Sequence, residues 1–338
     1  MSTPVSVPPR TWRPGTAPWL SHPPVGGPAV RIVVDNDFSG DPDDLYQLVH
    51  HVLSPSVDVR AVIASHLAPG DGFDPGPDTA TNAERVVREL FDLMGLQAQD
   101  LVVRGAQHAL ETDALPHDTA AARAIITEAH RPDPRPLFVV AGGGLTDLAS
   151  AYLLDPTIAD RLTLVWIGGA EHPGLASPPP GAAAVEYNLA IDLLAGQVVF
   201  ASGIPIWQVP RDVYRQCLVS DVELQQRVAT QGTLGAHLYD AVRAVTRRVA
   251  AHRGAAAETY ALGDSPLVLL TALQSVFEPD SSSSTHVVRP TPRIDGGGSY
   301  VDVPGARPMR VYTRVDTRLM FEDLFLKLRA FASWQSAR

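Results

Sequence analysis

Two residue types are nearly missing from this chain of 338 residues, and each shortage excludes chemistry. Cysteine occurs once, as Cys217, so neither an intramolecular disulfide nor a multi-cysteine metal site can form. Lysine also occurs once, as Lys327, and every other basic residue is arginine. The 27 basic residues face 37 acidic ones and leave a formal charge of −10, with no basic stripe interleaved with aromatics. Nucleic acid is therefore not an expected partner. No apolar run is long enough to span a bilayer, and the N-terminus lacks a charged segment followed by an apolar one. A cytoplasmic protein without a membrane partner is expected.

Hydrophobic residues, by contrast, make up 45% of the chain, enough for a sizeable core. Residues Met1 to Gly27 are rich in Pro, Ser, Thr and Gly without periodicity, which predicts an irregular arm (1–27) packed through Trp12 and Trp19. No later linker divides the chain, so 28–338 is expected to form a single domain.

The remainder is organised around Val33 to Leu45, VVDNDFSGDPDDL. An apolar run reads as a buried strand and leads directly into Asp35, Asp37, Asp41, Asp43 and Asp44. Leu45, Leu48, Val49, Val52 and Leu53 then recur at helical spacing, which puts Asp43 and Asp44 in or near a first helical turn. Helix capping accounts for two acids in such a place, but not for five. Carboxylates gathered at the carboxyl end of a strand repel one another unless a hard cation such as Ca²⁺ or Mg²⁺ sits among them.

Downstream, strands are predicted at Val57 to Ala64, Leu101 to Val103, Pro136 to Ala141, Leu162 to Ile167 and Pro205 to Val209. Helices are predicted at Thr79 to Gly95, Thr119 to His130, Leu145 to Leu154 and Tyr187 to Ala201. The loop Pro69 to Asp78 is long enough to be a lid. Such alternation predicts an α/β fold, a mostly parallel central sheet with helices on both faces. Beyond Asp221 the pattern turns mostly helical, with helices at Val222 to Ala229, Leu234 to His252 and Pro266 to Phe277. After the serine run Ser281 to Ser284 comes an antiparallel-looking section (His286 to Arg289, Tyr300 to Val303, Met309 to Val315), then a closing helix, Arg318 to Phe331.

The ordered set DxDxxxxxDD, G-G-L-T-D-L-A, G-G-A, E-Y-N-x-x-x-D and G-D-S-P-L resembles the calcium-dependent, inosine-uridine preferring nucleoside hydrolases from about Ile32 to the end. The resemblance implies a Rossmann-like open sheet, a Ca²⁺ cofactor, a homo-oligomer (dimer or tetramer) and hydrolysis of a ribonucleoside or ribosyl-like substrate. It implies Asp37 as general base and metal ligand, with Asp44, the Gly142 carbonyl and Asp264 completing the metal set. Asp43, Glu186 and Asn188 resemble the groups that hold sugar hydroxyls, and Asp35 a supporting acid. His66 follows the second strand, where the family has Gly-Asn, and is a further candidate for substrate contact. The implied chemistry is inverting attack of a metal-held water on the anomeric carbon, through an oxocarbenium-like sugar.

Departures from the family pattern are equally specific. Two extra residues separate Asp37 from Asp43-Asp44, so Asp41 competes for the ligand role, although the helix start favours Asp43-Asp44. The loop before Glu186 reads SPPPGAAA and lacks the asparagine that many members place on the sugar. Gly263 stands where many carry a histidine for the leaving group, which leaves His66, His237, Tyr239 and Tyr260 as candidate acids. Two other readings compete. Strand-Asp35-x-Asp37 also resembles haloacid-dehalogenase-type Mg²⁺ phosphatases, but the lone lysine lies out of order. A non-catalytic sugar or nucleoside binder on the same fold is the other.

Overall fold

The computed structural model describes residues 8–275, 277 and 282–337. Met1 to Val7 of the expected arm, Val276 of the expected helix and Ser281 of the serine run lie outside them. The apolar runs form six parallel strands, β1 (Val30–Asn36), β2 (Val57–Ala64), β3 (Val102–Arg104), β4 (Leu137–Ala141), β5 (Thr163–Ile167) and β6 (Ile206–Val209). Their order is β3-β2-β1-β4-β5-β6. Pro308–Arg314 then adds parallel to β6, and Thr285–Pro290 antiparallel beyond it, completing eight strands. The mostly parallel sheet expected from the alternation is thus present.

Side-chain alternation along β1 supplies both faces of the sheet. Ile32 and Val34 join the apolar cluster formed with α1 (Asp43–Val52), α2 (Thr79–Met94) and the closing helix Thr317–Ser336. Val33 points the other way, into a cluster with α3 (Ala120–Ala129), α4 (Thr146–Leu154) and α6 (Leu193–Ala201). Each fully buried aliphatic side chain contributes roughly 1.5–3 kcal/mol. In the arm, Trp12 and Trp19 are buried against Phe331 and Trp334, and Trp12 Nε1 donates to the Met94 carbonyl at 2.9 Å. No helix among the described residues is long and apolar enough to cross a membrane.

Four details differ from the sequence expectation. The helix expected over Tyr187 to Ala201 breaks at Asp192 into α5 (Tyr187–Ile191) and α6, because Asp192 leaves helical geometry to cap the second piece. The helix expected from Pro266 stops at Leu269, whose carbonyl accepts from the Gln274 side chain. Tyr300–Val301 pairs with Arg293–Ile294 instead of joining the main sheet, and the last strand is parallel to its inner neighbour. A small antiparallel ladder, Leu218–Ser220 with Thr259–Ala261, carries no strong apolar signal and was not expected.

Candidate active site

The sheet winds outward from β1 through β2 to β3, then crosses to β4 and winds the other way. A crevice opens at the carboxyl ends of β1 and β4, where such a reversal leaves room for a ligand. Asp37 follows β1 directly, and Gly142 to Gly144 follow β4. Asp43 and Asp44 open α1 behind Pro42, which has no side chain to cap the helix; neither Asp is itself the N-cap. The ladder Leu218–Ser220/Thr259–Ala261 returns the chain so that Asp264 meets them from a distant part of the sequence. Together they line a cavity of about 230 Å³ with five carboxylates: Asp37, Asp41, Asp43, Asp44 and Asp264. Asn188, Gly142 and Gly263 complete the polar side, and Phe73, Ile167, Tyr187 and Tyr214 form apolar walls.

Hydrogen bonds fix this constellation from beneath. Asn36 Nδ2 donates to Asp264 Oδ2 at 2.6 Å, and the Asp264 amide donates to Asp43 Oδ2 at 3.1 Å. Asn188 Nδ2 donates to the carbonyls of Gly142 (2.6 Å) and Ile167 (2.7 Å), bridging β4 and β5 and leaving its own oxygen as an acceptor. Asp41 accepts from the Tyr260 hydroxyl and the Asp43 amide. Asp44 adjoins both Asp37 and Asp264. A Cβ at position 142 would collide with Asp264 and Asn36, so only glycine lets the β4 backbone approach the carboxylates.

Burial is the leading electrostatic fact. It pushes Asp37 up to about 8, with the Asp264 charge adding to the effect, and Asp264 up to about 6. Asp43 and Asp44 rise well above the usual carboxylate range, through burial first and their acidic neighbours second. Among the described residues no basic side chain lines the cavity; Arg248, stacked over Phe73, lowers Asp41 against the larger effect of burial. Lys327 donates to Ser54 at the opposite end of α1, which removes the cation that the phosphatase reading needs.

The donor set fits a hard divalent cation. Asp44 Oδ2 is buried without a hydrogen-bond partner among the described residues, and the carboxylates of Asp37, Asp43 and Asp264 are its charged neighbours. Among the described residues, no three acidic, imidazole or thiol groups stand as a finished metal cage, so ligation would require side-chain rotations within the cluster.

Of the other predicted site residues, Glu186 is 1% exposed and stands behind Tyr214, which takes its place on the wall. Asp35 lies beneath the floor, buried beside Asp147 and next to the Ser65 side chain. His66, expected as a substrate contact, stands off the cavity lining. Its Nδ1 meets the Leu67 carbonyl (3.0 Å) and its Nε2 the Thr146 hydroxyl (2.9 Å), so the buried ring is used up away from the cavity. Among the candidate acids, His237 is exposed on a neighbouring groove and Tyr239 bonds Asp221; Tyr260 alone reaches a cavity carboxylate. Sequence reasoning missed Asn36, Phe73, Tyr187 and Tyr214. The available signal was positional: each follows or ends a segment at the carboxyl edge of the sheet.

Fold and site together define an open α/β protein with an acidic crevice at its switch point. The chain belongs to the inosine-uridine preferring nucleoside hydrolase family, whose profile matches residues 32–322. It is 36% identical over 102 residues to an inosine-uridine preferring nucleoside hydrolase of Leishmania major, covering 30% of this chain and 31% of that protein. Identity to a pyrimidine-specific ribonucleoside hydrolase of Citrobacter koseri is 27% over 216 residues, covering 57% and 65%. The matched regions thus span from about a third to just under two thirds of these relatives. Among solved structures, a purine-preferring ribonucleoside hydrolase from Gardnerella vaginalis superposes with a TM-score of 0.67 at 20% identity, over 89% of this chain and 99% of that one, which shows the shared fold.

Proposed function

We propose that this protein is a Ca²⁺-dependent N-glycoside hydrolase acting on a ribonucleoside or a ribosyl-like compound. The observation that carries the reading is the buried cluster of Asp37, Asp43, Asp44 and Asp264 at the sheet's switch point, with no basic side chain among the described residues of the cavity lining. Asp37 takes the proton of the attacking water, which enters opposite the leaving group and inverts the anomeric centre. Asp43, its Oδ2 braced by the Asp264 amide, accepts a sugar hydroxyl, and the Asn188 oxygen accepts another. The surrounding negative charge favours the oxocarbenium-like sugar over the neutral ground state. Ca²⁺ held by Asp37, Asp44, Asp264 and the Gly142 carbonyl would keep these acids ionised and orient water and sugar hydroxyls.

The relatives' names differ on the base, being inosine-uridine preferring, pyrimidine-specific and purine-preferring, so the leaving group is left open. Tyr260, held by Asp41, is the remaining acid candidate near the cavity. Homo-oligomerisation, a cytoplasmic location and the division into a 1–27 arm and one 28–338 domain belong to the same proposal.

Release of free ribose from purine, pyrimidine and modified nucleosides, with calcium and after chelation, tests the reaction. Asp37→Asn should lower turnover by about 10²–10⁴-fold with an unchanged circular dichroism spectrum. Normal turnover in that variant would sink the mechanism. Calcium binding without any release would favour the non-catalytic reading, which Gly263 and the covered Glu186 keep open.

A further inference from the structure

Tyr214 ends the short helix Arg211–Tyr214 that follows β6, at the sheet edge that carries Asp37. Its place is fixed from two sides. Arg211 is buried and grips Glu171 with two bonds, Nε to Oε1 at 2.9 Å and Nη2 to Oε2 at 2.6 Å. The Tyr214 hydroxyl donates to Glu186 Oε1 at 2.8 Å. Glu186 Oε2 already accepts from the Gly169 and Leu189 amides, at 2.7 and 3.1 Å, so three donors engage this carboxylate. On the ring's other flank, a Cβ at position 263 would lie 3.5 Å from Tyr214 Cδ2 and 3.2 Å from Asp43 Oδ2. Tyr214 therefore covers both Glu186 and the space beside Gly263.

We propose that Tyr214 is a specificity-determining residue of this site: it places a neutral phenol oxygen between Glu186 and the substrate, so the exocyclic hydroxymethyl of a furanoside meets a neutral acceptor instead of a carboxylate. The inference rests on the N-glycosidase reading above. A furanose whose ring hydroxyls lie on the floor of Asp43, Asp44 and Asp264 has one oxygen-bearing arm left, and in the proposed pose that arm lies against Tyr214, one of the four walls with Phe73, Ile167 and Tyr187. The phenol proton is engaged by Glu186, which leaves only an acceptor lone pair for the substrate. Hydrogen bonds to neutral acceptors are weaker than those to ionised ones. The site consequently demands little of the 5-hydroxyl, and 5-deoxyribosyl compounds are accepted alongside ribosyl ones.

The test compares kcat/KM for nitrophenyl ribofuranoside and nitrophenyl 5-deoxyribofuranoside, which share a leaving group, in calcium chloride. In the wild type the hydroxy-to-deoxy ratio is expected within about tenfold, falling towards one in Tyr214→Phe, which loses the acceptor. In Tyr214→Ala, which uncovers Glu186, the ratio is expected to rise by about tenfold or more, and a second change, Glu186→Gln, should remove the rise. A wild-type ratio of about 10³ or above, or equal ratios in all three proteins, overturns the proposal. Tyr214→Phe retains the ring beside Gly263, so the comparison survives a failure of Tyr214→Ala to fold. Should the wild type cleave neither glycoside, the reaction reading fails separately. Calorimetric binding of ribose against 5-deoxyribose to the same proteins then decides on Tyr214, with the same order of ratios expected and equal ratios overturning it.

Discussion

A methyl group at position 142 has no room. Its carbon would overlap Asp264 Oδ2 and both terminal atoms of Asn36, while the residue's carbonyl is held by Asn188. Gly142→Ala must therefore push Asp264 off the floor or bend β4. A loss of about 1–3 kcal/mol in urea unfolding is expected, as for other overpacked sites. A fall in activity should accompany it; unchanged stability and activity would mean that Asp264 moves freely. Asp37, Asp41, Asp43 and Asp44 stood out in the sequence because a strand, a run of aspartates and a helix are local signals, whereas the distant Asp264 was pointed to only by the family resemblance. Tyr214 was not legible. An isolated tyrosine carries no local pattern, and its effect on Glu186 depends on a contact across 28 residues. The partners of His66 were equally hidden, since its sequence position suits a site while the fold pairs it with the Leu67 carbonyl and the Thr146 hydroxyl.

The break between α5 and α6 shows the same limit one level up. Apolar residues continue through Leu189, Ile191, Leu193 and Leu194, so periodicity alone predicts one helix. Asp192 interrupts it because its buried carboxylate satisfies three donors at once: the Ala195 amide at 2.9 Å, the Leu110 amide at 2.8 Å and the Thr146 hydroxyl at 2.7 Å. Two of those partners lie on distant segments, one in the loop before α3 and one opening α4. Asp192→Ala should remove a helix cap and strand two buried donors, a destabilisation of about 2–4 kcal/mol by denaturant titration. A loss under about 0.5 kcal/mol, the size of an ordinary surface change, would refute this account. The six parallel strands were readable because apolar runs alternate with helical segments along the chain. The direction of Pro308–Arg314 was not, because it is fixed by pairing with β6 about a hundred residues earlier.

For the whole molecule, an acidic chain that buries several carboxylates together couples metal, protons and stability. Asp37 at about 8 and Asp264 at about 6 both lie above the ordinary 3.8. Between those limits the folded, metal-free protein holds protons that the unfolded chain has released, so its stability falls as pH rises from about 4 to 8. Calcium reverses the balance, because it binds the ionised carboxylates and must displace those protons. The calcium-induced gain in Tm should consequently be larger at pH 8 than at pH 5.5. His50, which burial drives down to about 4, works with the opposite sign: its contribution is present above about 6.5 and is lost as pH falls. It lies at the far end of α1, bonded to Asp323, and titrates alike with and without metal, so it cancels in the difference. Scanning calorimetry with calcium chloride and with chelator at both pH values measures the effect. At about a hundredfold excess over Kd the stabilisation is roughly 2.7 kcal/mol, a shift of several degrees for a chain of this size. A gain that is equal at the two pH values would show that the ion is bound elsewhere than on Asp37 and Asp264.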